Sequence, residues 1–170
     1  MKELVLEYYV NHHQKFEKDL SFFRYHLDFD TALKFAIIST DSKNRKFSHQ
    51  HRIPSNVLEN AFKKIMLNKT KLLKASTFDR IFQIIEETEV VGFGKLCCYD
   101  AALRIAEHRN IQVKHIYLQA GALEGAKKLC EIKGKRFIDK NVLPEPLCNM
   151  NEKIIEDFLC VMKNKIPRTK

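Results

Sequence analysis

The stretch Val90-Val91-Gly92-Phe93-Gly94 sets the path of the chain at its centre. It lies between two segments whose apolar residues recur at helical spacing, Thr77 to Thr88 before it and Leu96 to Arg109 after it. Two glycines around an apolar residue permit a tight turn that directs backbone N–H groups outward, and the following helix presents the positive end of its dipole there. The sequence therefore predicts a helix-hairpin-helix module at residues 77–109 that binds phosphate groups.

Side chains around the turn fit this prediction. Phe93 is expected to plug the core, and the small pair Cys97-Cys98 to let the two helices approach closely. Lys95, at the start of the second helix, is well placed for an anion. The alternative is a plain turn, in which Gly92 ends one helix and Gly94 only adds flexibility.

Val91-Gly92-Phe93-Gly94 followed by Cys97-Cys98 resembles the helix-hairpin-helix of the DNA-repair glycosylase superfamily. The resemblance covers residues 77–115. It implies an all-α fold and binding of duplex DNA through the hairpin. The wider segment Leu96 to Gly121 resembles bacterial proteins of unknown function, which add no functional expectation.

The chain departs from that family where the family's chemistry resides. Glycosylases carry an essential Asp downstream of the second glycine, whereas residues 112–116 here are Gln-Val-Lys-His-Ile. The lyase members have a Lys where this chain has Leu96, and Lys95 lies one position early. Without a carboxylate to activate a nucleophile, excision has no evident base. The resemblance therefore supports DNA binding and argues against base excision.

Composition favours helices throughout the chain. The 170 residues include 12 Phe and no Trp, and 45% of them are apolar. Five Gly and four Pro are few for the turn density of a β-sandwich. We therefore predict an all-α, compact multi-helix domain that contains the hairpin module. The length suits one domain or two small lobes that share a core, and we treat residues 1–170 as a single helical domain.

The charge of the chain suggests a polyanionic partner. Lys and Arg number 30 against 21 Asp and Glu, which gives a net charge of +9. Such an excess attracts DNA, RNA or an anionic membrane surface, although many lysines also simply keep a small protein soluble. No apolar stretch approaches the length of a membrane span, and Met1-Lys2-Glu3-Leu4 lacks signal-peptide character. We expect a cytoplasmic protein that makes no membrane contact.

The densest run of basic residues is the segment 43–52. Arg45, Lys46 and Arg52 are candidate phosphate contacts there, and Phe47 could stack on a base. The alternative is a solvated loop. Arg104 and Lys114, outside this segment, are further candidate phosphate contacts.

Several other groups could carry chemistry but predict no cofactor. His49 and His51 alternate without a nearby carboxylate or thiol, which makes a poor metal site. His26, Asp28 and Asp30 form an H-x-D-x-D triplet, in which Asp30 is expected to cap a helix. The five cysteines lack zinc-ligand spacing and are expected to be buried, reduced thiols.

Two glycines, Gly121 and Gly125, are spaced four residues apart. Close helix packing is the favoured interpretation, and a second anion site is the alternative. The helix that carries them is expected from Ala120 to Ile132 and is expected to end with Gly134.

Three functions remain open at this level. The leading hypothesis is a duplex-DNA-binding protein without sequence specificity. The second is a helical enzyme that acts on nucleic acid or a phosphorylated small molecule, with Asp100, His115 or His26 as acid or base. The third is a protein–protein interaction domain whose charge only sets solubility.

Overall fold

The computed structural model describes residues 1–25, 27–41, 43, 45–47, 50–132 and 134–168. Where a single helical domain is expected over residues 1–170, the contacts divide the chain into two compact units. Unit 1 combines Met1–Lys18 with Val113–Lys170, and unit 2 is the continuous stretch Asp19–Gln112. Unit 2 is thus inserted, in sequence, between the two segments of unit 1.

Unit 2 is built around a buried central helix. Its helices are the C-terminal part of α2 (Gln14–Arg24), α3 (Phe29–Ile38), α4 (Ser55–Met66), α5 (Lys69–Lys74), α6 (Phe78–Glu86) and α7 (Lys95–His108). Helices α3 and α6 pack on α7, and α4 packs on α3. Every residue of α7 from Cys97 to Ala106 except Asp100 is buried. The all-α prediction is confirmed.

Unit 1 combines helices with a very short antiparallel sheet. Its elements are α1 (Lys2–Tyr8), a π-helical turn (Tyr9–His13), β1 (Ile116–Tyr117), α8 (Ala120–Ala126), β2 (Phe137–Ile138) and α9 (Glu152–Val161). Ile116 pairs with Ile138 on the buried face of the sheet, and Tyr117 pairs with Phe137.

The glycine pair of α8 allows two helices of unit 1 to touch backbone to backbone. A Cβ added to Gly121 would lie 2.8 Å from Sγ of Cys160, and one added to Gly125 would clash with the carbonyl oxygen of Leu159. The spacing therefore serves close packing of α8 on α9, in agreement with the favoured interpretation.

Helix ends differ from the sequence expectation in two places. Asp28, not Asp30, caps α3, because its Oδ1 accepts the N–H groups of Asp30 and Thr31, both at 3.0 Å. Asp30 instead pairs with Lys69. Helix α8 ends at Ala126 rather than Ile132, so Gly134 does not terminate it.

The structure also bears on the H-x-D-x-D triplet, on the state of the cysteines and on membrane crossing. His26, the first member of the H-x-D-x-D triplet, lies outside the described residues. All five cysteines are described, and none is in a disulfide. Within the described part of the chain, no helix has the length and apolar character needed to cross a membrane.

Candidate nucleic-acid interface

The stretch 87–94 connects α6 to α7 and contains a tight turn at residues 90–93. The N–H of Phe93 donates to the carbonyl of Val90 at 3.0 Å. Gly92, the third residue of this four-residue turn, has φ +86°, a conformation that glycine adopts without a steric penalty. Phe93 is buried as expected, whereas Val91 at the tip is 93% exposed.

Gly92 lies against the first turn of α4. A Cβ on Gly92 would be 3.2 Å from Cγ1 of Val57. Helix α4 begins at Ser55, shortly after the basic segment 43–52. The turn therefore lies against the helix that follows the basic segment.

Helix α7 begins without a side-chain cap. Gly94 is its N-cap, in an extended conformation and with open space around its Cα. Cys98 makes the first intrahelical bond, from its N–H to the carbonyl of Gly94 at 3.0 Å. The N–H groups of the first turn thus have no intrahelical acceptor, and in a helix of 14 residues they coincide with the positive end of the dipole.

Charges around the turn have both signs. Lys95 is exposed and has no ion-pair partner among the described residues. Glu86, Glu87 and Glu89 precede the turn, and Glu87 accepts from Gln83 at 2.8 Å. Glu89 is exposed at φ +45°. An anion at the turn would therefore be attracted by Lys95 and repelled by Glu89.

Thiol chemistry at the turn is disfavoured. Burial raises the pKa of Cys97 to about 11, and the nearby Asp100 adds to this shift. A thiol with that pKa stays protonated at neutral pH and is a weak nucleophile. The adjacent Cys98 thiol approaches the carbonyl of Phe93 at 3.7 Å and so helps to hold the turn.

Arg104 is not placed to contact a phosphate, which corrects the sequence expectation. It is 8% exposed and donates to Ala36 O at 3.1 Å, Ser39 Oγ at 3.2 Å and Gln50 Oε1 at 3.3 Å. Its guanidinium carbon lies 4.2 Å from the ring centroid of Phe47. Burial lowers the pKa of Arg104 from its ordinary value, and Asp100 opposes that shift. Arg104 organises the interior of unit 2.

Within the described part of the basic segment 43–52, several side chains already have partners in the protein. Arg45 pairs with Asp41 at 2.7 Å, and the hydrogen bond from its side chain lowers the pKa of Asp41 to about 2. Lys46 donates to the carbonyl of Ile53 at 2.9 Å. Arg52 is exposed. Phe47 is buried against Arg104, so the expectation that it stacks on a base is wrong.

The remaining predicted phosphate contact, Lys114, is exposed but belongs to unit 1. The structure therefore brings together Gly92, Phe93, Gly94 and Lys95, with the start of α4 beside them. It assigns Arg104 to the core.

The candidate acids and bases are also engaged. In unit 2, the fully buried Gln50 donates to Asp100, and Asp100 lies 3.9 Å from Arg104. In unit 1, His115 stacks on Phe137 with ring centroids 4.3 Å apart, and its Nδ1 lies 3.0 Å from Asp139. Asp100 and His115 thus belong to different units, and each has its own partners.

Metal chemistry finds no support in the described residues. Among them, no three His, Cys, Asp or Glu side chains are grouped as metal ligands. His51 is exposed, and its proposed partner His49 lies outside the described residues.

Two buried polar residues have no counterpart in the sequence predictions. Gln50 links Asp100 to Arg104. In unit 1 the Tyr8 hydroxyl donates to Asp157 at 2.6 Å, and burial together with that carboxylate raises the pKa of Tyr8. The partners are 50, 54 and 149 residues apart, so no local pattern could have paired them.

Comparisons with protein-family models, with curated proteins and with solved structures give no match for this chain.

Proposed function

We propose that unit 2 binds duplex DNA without sequence specificity, through the backbone of the Val90–Gly94 turn and the first turn of α7. The observation that carries this proposal is the exposed, uncapped start of α7 beside a turn that glycine makes possible. Backbone N–H groups at a helix N-terminus are a recurrent site for phosphate oxygens. The net charge of +9 supplies long-range attraction.

Few side chains are placed to assist the backbone N–H groups in binding DNA. Lys95 stands next to Gly94, and Arg52 precedes the first turn of α4, where Val57 meets Gly92. Glu89 opposes them. A contact of this kind, with few cations, is expected to bind weakly and to lose affinity as salt rises, because each neutralised phosphate releases counterions.

The decisive experiment uses Gly94, because no atom lies within 4 Å of a Cβ placed there. Gly94→Asp adds a favourable N-cap but puts a carboxylate where the phosphate would bind. Gly94→Asn adds nearly the same side chain without the charge. We expect both variants to fold with near wild-type stability, and only Gly94→Asp to lose binding to a fluorescent duplex in an anisotropy titration at low salt.

Equal affinity of the two variants would remove the turn from the binding surface. Failure of the wild-type chain to bind duplex, single-stranded or nicked DNA at low salt would reject the proposal as a whole. A salt-sensitive affinity that is weaker in Lys95→Gln would support the proposal. Removing a cation that contacts a phosphate lowers both the affinity for DNA and the dependence of that affinity on salt.

A further inference from the structure

A pocket of about 340 Å³ lies between α3 and α4 within unit 2. Ser55, Leu58 and Glu59 line it from α4. Val57, which meets Gly92, lies two residues from Ser55 and hence about 200° around the helix axis. The pocket is therefore on another side of α4 from the turn, and a ligand bound in it would not require DNA binding.

The floor of the pocket is apolar. Phe35 and Ile38 from α3 face Leu58 from α4, and Leu58 is fully buried. A volume of this order lies at the lower end of the range for small-molecule sites, in which apolar walls supply most of the contact area. The floor thus suits the body of a small aromatic or branched aliphatic molecule.

Lys46 provides a fixed positive charge on the wall. Its Nζ donates to the carbonyl of Ile53 at 2.9 Å and to Oγ of Ser55 at 3.3 Å. An ammonium group has three N–H donors, so one remains for a ligand. Lys34 also lines the pocket, is exposed, and makes no ion pair with any described residue.

Thr40 adds a second polar group. The residue lines the pocket and forms an antiparallel bridge with Lys46. A hydroxyl group can donate a hydrogen bond to an acceptor oxygen. Thr40 and the tethered ammonium group of Lys46 together therefore offer donors to an anionic group in the pocket.

We propose that this pocket binds a small organic acid, whose apolar body rests on Phe35, Ile38 and Leu58 and whose anionic group contacts Lys46 and Thr40, with Lys34 at the mouth. A carboxylate and a phosphate monoester share this chemistry. Glu59 also lines the pocket, but it is exposed, so water screens its repulsion of the anion.

Four probes test the proposal by calorimetry and by the shift of the thermal unfolding midpoint: phenylacetate, phenyl phosphate, benzyl alcohol and inorganic phosphate. We expect at least one of the first two to bind about tenfold more tightly than benzyl alcohol and inorganic phosphate, since a charge-assisted hydrogen bond and the apolar floor must act together. The tighter of the two anions identifies the head group.

Variants separate the pocket from general charge. Thr40→Val keeps the shape and Lys34→Met keeps an apolar stem, so neither should prevent folding. Each should weaken the tighter anion several-fold, whereas Lys64→Met, an exposed lysine on α4, should not. Equal binding of benzyl alcohol, or an anion affinity unchanged in both pocket variants, would overturn the proposal, as would the absence of binding by any probe.

Discussion

Gly92 and Val57 meet so closely that a Cβ on Gly92 would lie 3.2 Å from Cγ1 of Val57. Gly92→Ala therefore has two costs, this contact and the left-handed φ of +86°. We expect the free energy of unfolding to fall by about 1–3 kcal/mol in urea titrations. In a Val57→Ala chain the close contact is absent, so Gly92→Ala should cost less unfolding free energy there than in the wild-type chain. Part of the cost should persist, because the backbone strain at residue 92 remains. An unchanged unfolding free energy in Gly92→Ala would contradict the turn geometry.

Arg104 should contribute to folding stability and not to DNA binding. Arg104→Met removes the donors that serve Ala36, Ser39 and Gln50, so we expect unfolding to become easier by about 3 kcal/mol. Arg104→Lys should recover only part of this, since one ammonium group cannot reproduce the planar fork. Lys95→Met, exposed on the same helix, serves as the control and should change stability by less than about 0.5 kcal/mol. A stable Arg104→Met protein that loses DNA binding would restore Arg104 as a phosphate contact.

Gly125→Ala should destabilise unit 1, because the new methyl group would overlap the carbonyl oxygen of Leu159. We expect a loss of about 1–3 kcal/mol, or more if α8 cannot shift away from α9. Gly94→Ala is the matched control, since its Cβ would meet nothing within 4 Å. Thermal unfolding followed by circular dichroism would measure both. Equal midpoints for the two variants would show that α8 and α9 do not pack backbone to backbone.

Cys97 should resist alkylation. With its pKa raised to about 11 from an ordinary 9.0, the thiolate fraction at pH 8 is about a hundredfold lower than in the unfolded chain. Iodoacetamide labelling, read by peptide mass spectrometry with and without urea, measures the ratio. Because the folded pKa is the higher one, this thiol stabilises the fold fully below pH 9, and that contribution is lost as the pH rises through 11. Cys97→Ala should flatten the pH–stability curve between about pH 9 and 11. Rapid labelling of Cys97 without urea would show that the thiol is not buried.

Glu89 should weaken DNA binding by repulsion. Glu89→Gln removes an exposed carboxylate beside the turn, so we expect about a two- to fivefold higher affinity for duplex DNA at low salt and a smaller gain at high salt. Glu145→Gln changes the net charge equally at an exposed position in unit 1. The same gain in both variants would mean that only overall charge matters and that the turn is not the contact.

Local sequence signals predict local structure well in this chain. Pro54-Ser55 indicates the start of α4, and the spacing of Gly121 and Gly125 indicates close packing. Asn149 and Asn151 are both suited by their side chains to cap a helix, and Asn151 is the one that caps α9. These features depend on a few neighbouring residues, whose backbone geometry is dictated by their own side chains.

Features set by distant partners are not predictable in this way. Arg104 has the i,i+4 relationship to Asp100 that an exposed helix pair would also have, and its other acceptors lie 54, 65 and 68 residues away. Phe47 sits in a basic run that suggests a solvated loop, yet Arg104 covers its ring. The early end of α8 at Ala126 is likewise not visible in the sequence, where apolar residues recur at helical spacing as far as Ile132.

The insertion of unit 2 between the segments of unit 1 orders the events of synthesis. Residues 19–112 leave the ribosome as one continuous stretch and can fold as soon as Gln112 has emerged. Helix α1 has no such option, because the Asp157 carboxylate that its Tyr8 hydroxyl contacts is made 149 residues later. The buried contacts of α1 with the second segment of unit 1 therefore form only after that segment has been made.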